Sequence, residues 1–266
     1  LSLGVQSFSD DELRLLGRIH SAADAREAVA VARQAGFDNI NLDLIYGLPG
    51  QALSCWRASV EAALGLAPQH LSLYSLTLEE GTPLARRVAL GRVPAPDADT
   101  AADMYLLAEE MLANAGYVHY EISNWARAGW ECQHNLIYWH NGPYLGLGAG
   151  GHSSLRLAQG GAWRGCRFHN VRHPETYIRR VAQLKPTGGE PADILRSRSP
   201  IEGIEAISPV LEMAETVILG LRLTAGVSLR EFEERFGVPL LAVYGPQVQE
   251  LRELALATVE AGHLRL

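Results

Sequence analysis

Lys185 is the only lysine in this chain, and the rest of its positive charge is arginine. With a formal net charge of −7, no basic face is available for non-specific nucleic-acid binding, so a nucleic-acid partner is not expected. Three cysteines, Cys55, Cys132 and Cys166, are too few and too scattered for a disulfide framework, and their spacing matches no zinc or iron–sulfur motif. A reducing cytoplasm is the compartment this implies. No apolar run is long enough to cross a bilayer and no charged-then-apolar leader opens the chain, which leaves only peripheral membrane association open. Internal repeats and low-complexity tracts are absent as well. What remains is 266 residues, 47% hydrophobic and 20% charged, enough for one large domain or two ordinary ones.

The first 120 residues alternate strand-like and helical runs. Leu1 to Val5 reads as a strand, followed by helical patterns around 10–18 and 22–35, the second opened by Ser21 and closed by Gly36. A strand from Asn39 to Ile45, a Gly47-Leu48-Pro49-Gly50 turn, a helix over 52–66, a strand over 70–76 and a long helix over 97–115 complete the series. Such units imply parallel strands with right-handed crossovers. Asn39, Asn41 and Asp43 share one face of their strand, while Ile40, Leu42 and Leu44 share the other. A strand covered by helices on both faces should be apolar throughout. The alternation therefore favours part of a barrel with a polar lumen, with an open sheet as the alternative.

Residues 117–155 are rich in aromatics and glycine, and 156–204 reads as a loop-like connection. A small helical module follows over 205–266, with helices near 208–220, 228–236 and 246–261 and a capping box from Ser228 to Glu231. The domains expected are thus 1–155, a connecting segment 156–204, and 205–266. Because the chain begins inside a strand and without methionine, we expect a piece of a longer protein.

In a parallel barrel, working residues gather where strands end. Gln6 lies at such an end, Asp43 points inward, and Arg18 lies in a segment able to fold back over the same mouth. Together they suit a zwitterionic, nucleoside-bearing ligand. A structural role for the three, with Asp43 paired to a neighbour, fits the spacing equally well. The aromatic stretch from Tyr120 to Gly142 offers stacking surfaces and the imidazoles of His134 and His140, groups that serve as axial ligands of heme iron. The other reading is a packed loop. Gly146 to Gly151, ending at His152, resembles a phosphate cradle but lacks the flanking strand and helix, so close backbone packing is the simpler account.

Taken in order, these segments resemble the HemW and oxygen-independent coproporphyrinogen oxidase group of radical-SAM proteins. The resemblance rests on Leu1 to Phe8, Leu16 to His20, Asn41 to Pro49, Tyr120 to Ser123, His134 to Trp139, Gly146 to His152 and Leu219 to Arg222. It implies an α/β fold: the C-terminal part of a partial (β/α) radical-SAM barrel plus a small, mainly helical C-terminal domain. It also implies that Gln6, Arg18, Asp43, Thr77 and His152 bind S-adenosylmethionine. The His134-Asn135-x-x-Tyr138-Trp139 pattern is characteristic of the heme-chaperone branch, making His134, Tyr138, Trp139 and His140 the heme-binding candidates. By the same resemblance, heme would be passed to respiratory hemoproteins. The alternative function is oxidative decarboxylation of coproporphyrinogen III. The chain departs from the family in lacking its Cys-x-x-x-Cys-x-x-Cys motif, glycine-rich segment and glutamate. A [4Fe–4S] cluster is therefore expected only in a longer parent, along with a short tail beyond Leu266. An exposed strand edge is expected at Leu1 to Val5.

Overall fold

The structure, a computed structural model, describes residues 1–159, 162–183 and 200–266. Gly160, Gly161 and 184–199, part of the expected connecting segment, lie outside the described residues. The chain divides into two compact units, Leu1–Cys132 and Gln133–Leu266, so the division falls ahead of residue 155.

In the first unit, β1 (Ser2–Gln6), β2 (Asn41–Tyr46) and β3 (His70–Ser75) run parallel, and β5 (Asn124–Ala126) and β4 (Val118–Glu121) extend the sheet antiparallel in the order β1-β2-β3-β5-β4. The crossovers are α1 (Asp10–Leu15) with α2 (Ala22–Gln34), and α3 (Leu53–Gly65). Further on lie α4 (Pro83–Ala89) and α5 (Ala98–Asn114). Ser21 caps α2 through a reciprocal bond pair with Asp24, satisfying two backbone donors at the helix start. The helix α4 falls between the strand expected over 70–76 and the helix expected over 97–115. Thr82, whose hydroxyl accepts from the Ala85 N–H, and Pro83 in the first turn are its start signals.

The period-two alternation in β2 survives into the fold. Ile40, Leu42 and Leu44 are fully buried with Leu71, Trp56 and Met104, while Asn41 and Asp43 face the other way and are only partly covered. Trp56 fills the layer between α3 and the sheet, and its indole N–H donates to the Met104 carbonyl at 2.8 Å. β1 forms one edge of the sheet.

The second unit opens with α6 (Gln133–Trp139), followed by an antiparallel sheet of β6 (His152–Gln159), β7 (Ala162–Asn170) and β8 (Ile201–Ile207), with α7 (Pro174–Ala182) between the last two. The loop-like reading of 156–204 is thus corrected at its described strand residues: 156–159, 162–170 and 201–204 lie on paired strands, where cross-strand bonds outweigh weak local propensity. The C-terminal portion comprises α8 (Pro209–Gly220), β9 (Val227–Ser228), α9 (Leu229–Phe236), α10 (Leu240–Glu253), β10 (Thr258–Glu260) and β11 (His263–Arg265). Its own core is built on Phe232, Leu240, Val248 and Leu264. The helix expected over 246–261 starts earlier, tolerates Pro246 in its interior, and gives way to the β10–β11 hairpin. Ala261 and Gly262, with φ of 48° and 78°, form the two-residue turn. An Ala-Gly pair is a weak turn signal, which is why the hairpin reads as helix in the sequence.

Candidate functional site

The polar face of the first unit's sheet is a continuous hydrogen-bonded surface. Asp43 accepts from the Ser2 hydroxyl at 3.0 Å and from the Asn41 amide at 2.8 Å. The Asn41 oxygen in turn accepts from His70 Nδ1 at 2.7 Å and from Ser72 at 3.2 Å. Because that oxygen can only accept, Nδ1 carries the proton, and Nε2 accepts from the Tyr120 hydroxyl at 2.8 Å. Tyr120 also accepts from the Cys132 backbone N–H.

Burial pushes the His70 imidazole down to about 4, against the opposing pull of Asp43 and Glu131. His70 is therefore neutral at pH 7, as the bond pattern requires. An unfolded chain would bind a proton here from pH 6.5 downward while the folded one resists until about 4. Stability is accordingly intact above 6.5 and lost as pH falls through that window, by about 3 kcal/mol at most. Denaturant unfolding of the wild type and His70→Gln between pH 7 and 4 should show a shallower acid loss in the variant. Parallel curves would remove His70 from the account.

Further along the sheet, Asp43, Ser72, Asn124 and Glu121 lie in one row across four strands. Asn124 donates to Glu121 Oε1, yet Glu121 Oε2 and Asn124 Oδ1 meet no hydrogen-bond partner among the described residues. Both residues are buried, with Glu121 1% exposed. Unpaired buried acceptors are costly and demand an explanation. The sequence singles out neither His70 nor Ser72, and marks Glu121 and Asn124 only as members of the aromatic stretch that begins at Tyr120. The regular polar alternation of His70 and Ser72 was the available signal, whereas Glu121 faces this side only because of a register shift between His119 and Glu121.

Gln6 ends β1 in a left-handed conformation, φ 69°, uncommon for a residue other than glycine. Its side chain folds back over Gly4, where an added Cβ would stand 2.7 Å from the Gln6 amide nitrogen. Arg18 is exposed in the turn after α1, and His20 ties this turn to the end of β1 by donating to the Val5 carbonyl at 3.1 Å. Thr77 is exposed just past β3, beside the bond from Leu76 N–H to the Tyr46 carbonyl. Gln6, Arg18 and Thr77 thus sit at the C-terminal ends of the parallel strands, with Asp43 on the face between them. His152 belongs to the second unit, where it pairs across strands with His169, ring centroids 5.3 Å apart.

The glycine run packs against its own chain. A Cβ on Gly146 would lie 2.1 Å from the His152 carbonyl, and Asn170 donates to the carbonyls of Gly146 and Gly148. The four heme candidates on and after α6 fall into two pairs. His134 Nε2 is 3.1 Å from the Tyr138 hydroxyl, and Tyr138 packs edge-on to Tyr144. Trp139, under the Arg222 guanidinium at 4.4 Å, and His140 instead line a cleft of about 320 Å³. Among the described residues no group of three histidines, cysteines or acids is placed to hold a metal, and no helix is long and apolar enough to cross a membrane.

Comparison with known proteins bears on this arrangement. The fold matches coproporphyrinogen III oxidase (HemN) of Escherichia coli, a radical-SAM enzyme, with a TM-score of 0.73 over 100% of this chain and 60% of that one, at 19% identity. The first unit is therefore part of a radical-SAM barrel fold, as its polar inner face suggested. Residues 207–266 match the family model for the HemN C-terminal domain. The heme chaperone HemW of Lactococcus lactis is 36% identical over 94% of this chain and 60% of its own length. The corresponding protein of Bacillus subtilis is 36% identical over 96% and 62%. The mitochondrial radical S-adenosyl methionine domain-containing protein 1 of Bos taurus is 36% identical over 100% and 58%. The chain is a HemW-like member of the radical-SAM, coproporphyrinogen oxidase-like family, and it spans about three-fifths of the length of these relatives.

Proposed function

We propose that the chain is the heme-handling portion of a radical-SAM heme chaperone that binds heme and passes it to respiratory hemoproteins. The observation that carries this reading is the 36% identity to heme chaperones along 94% of the chain. It joins with the His134 to Trp139 run, which the structure presents on a short helix beside an aromatic-lined cleft. The oxidase alternative rests on the likeness of fold.

S-adenosylmethionine would be held on the polar sheet face of the first unit by Gln6, Arg18, Asp43 and Thr77. Two features of this face fit such a ligand: the strained Gln6 at a strand end, and the unpaired acceptors of Glu121 and Asn124, which suit a group rich in N–H or O–H donors. Bound there, S-adenosylmethionine would bring the capacity for radical chemistry, provided a cluster were held elsewhere in a longer protein. Cluster ligation does not fit this chain, since its three cysteines are scattered and Cys55 is exposed. The chain's own residues would orient the nucleoside, with Asp43 held in place by its bonds from Ser2 and Asn41.

Equilibrium binding to the purified chain tests both halves. Hemin should bind saturably, and Asp43→Asn should weaken S-adenosylmethionine by about tenfold while leaving hemin unchanged. Equal S-adenosylmethionine affinity in the variant would contradict the assignment of Asp43, and non-saturable hemin uptake would contradict the heme reading.

A further inference from the structure

The cleft beside α6 combines three kinds of chemistry that meet in one ligand class. A flat apolar wall comes from Trp139, with Phe232 buried in the core behind the lining, and two imidazoles, His140 and His263, line the same space. Two of the lining residues also carry buried N–H groups without an acceptor, Trp139 Nε1 and Arg235 Nε. Unpaired buried donors of this kind suit a carboxylate.

His263 is held in one ring orientation by its neighbours. It stands in β11 opposite Ser228, another cleft residue, and its Nδ1 lies 3.1 Å from the Ala261 carbonyl. A carbonyl only accepts, so Nδ1 carries the proton and Nε2 carries the lone pair. A second bond that fixes tautomer and ring orientation is the usual support of a ligating histidine. The Ala261-Gly262 turn holds that carbonyl in place. His134, by contrast, has its Nε2 engaged with the Tyr138 hydroxyl.

We propose that this cleft is a metalloporphyrin site, with His263 Nε2 ligating the iron, Trp139 packing on the macrocycle, and the Trp139 and Arg235 N–H groups meeting a carboxylate arm. His140 stands within the same cleft as the second imidazole. The inference rests on the heme reading above and moves the iron ligand from His134 to His263. A half-open cleft also suits cargo that must leave again.

The test uses the purified chain with two probes, hemin and metal-free protoporphyrin IX, which share ring and carboxylates and differ in the iron. His263→Ala should weaken hemin by about tenfold and abolish the imidazole-ligated Soret band. Protoporphyrin IX should bind the variant as it binds the wild type, which also shows that the variant is folded. The proposal is overturned if His263→Ala binds hemin with wild-type affinity, if both probes weaken equally, or if only His134→Ala loses the Soret band; in that last case the heme reading stands. A wild type that binds neither probe removes the heme reading and this site together.

Discussion

Glu212→Ala should lower the stability of the second unit by about 3–5 kcal/mol. Glu212 is 9% exposed, yet its Oε1 accepts from Arg156 and from Arg235, each at 2.9 Å. Arg235, itself largely buried, also donates to the His140 and Asn141 carbonyls at 3.1 and 2.8 Å. These bonds fix the chain just past α6, where Asn141 holds φ at 49° and its amide donates to Thr216 at 3.0 Å. Truncating Glu212 leaves two guanidinium groups without their shared anion, one of them buried. Desolvating an unpaired charge is far more costly than losing an exposed pair such as Arg14 with Asp11. Denaturant unfolding would report the change directly. Glu212→Gln, which keeps an oxygen acceptor, should lose less. A change within about 0.5 kcal/mol for the alanine variant would show that the network is solvated rather than buried.

The network connects stability to the proposed site, because Arg235 both anchors the backbone of His140 and lines the cleft. Loosening it should loosen heme binding without any contact to heme being removed. None of this was visible in the sequence. Glu212, Arg235 and Arg156 are far apart along the chain and carry no motif, and only the packing of α8, α9 and β6 brings their charges together.

What the sequence did reveal follows from local periodicity. The alternation through Asn41 and Asp43 marks both the buried and the polar face of β2, and Ser21 with Asp24 marks the start of α2, because these signals act over two to four residues. The strands β6 and β7 and the β10–β11 hairpin were missed, since pairing partners distant or weakly signalled in sequence decide them. The site residues divide in the same way. Gln6, Arg18, Asp43 and Thr77 were read from strand position and family resemblance, and the structure sets them along one end and face of the sheet. Glu121 needed a register shift to reach that face, and His263 a turn whose Ala-Gly sequence is weak, so neither could be read from spacing.

Handover of heme tests the central claim most directly. The purified chain, loaded with one equivalent of hemin, would be mixed with membranes containing a heme-free respiratory hemoprotein, and the recipient's absorption spectrum followed. A carrier that binds through one orientable imidazole in a half-open cleft should deliver heme at least about tenfold faster than serum albumin loaded to the same extent. Transfer that saturates with recipient concentration is the predicted result. Delivery no faster than from albumin, with hemin remaining on the chain or partitioning into lipid, would contradict the chaperone account.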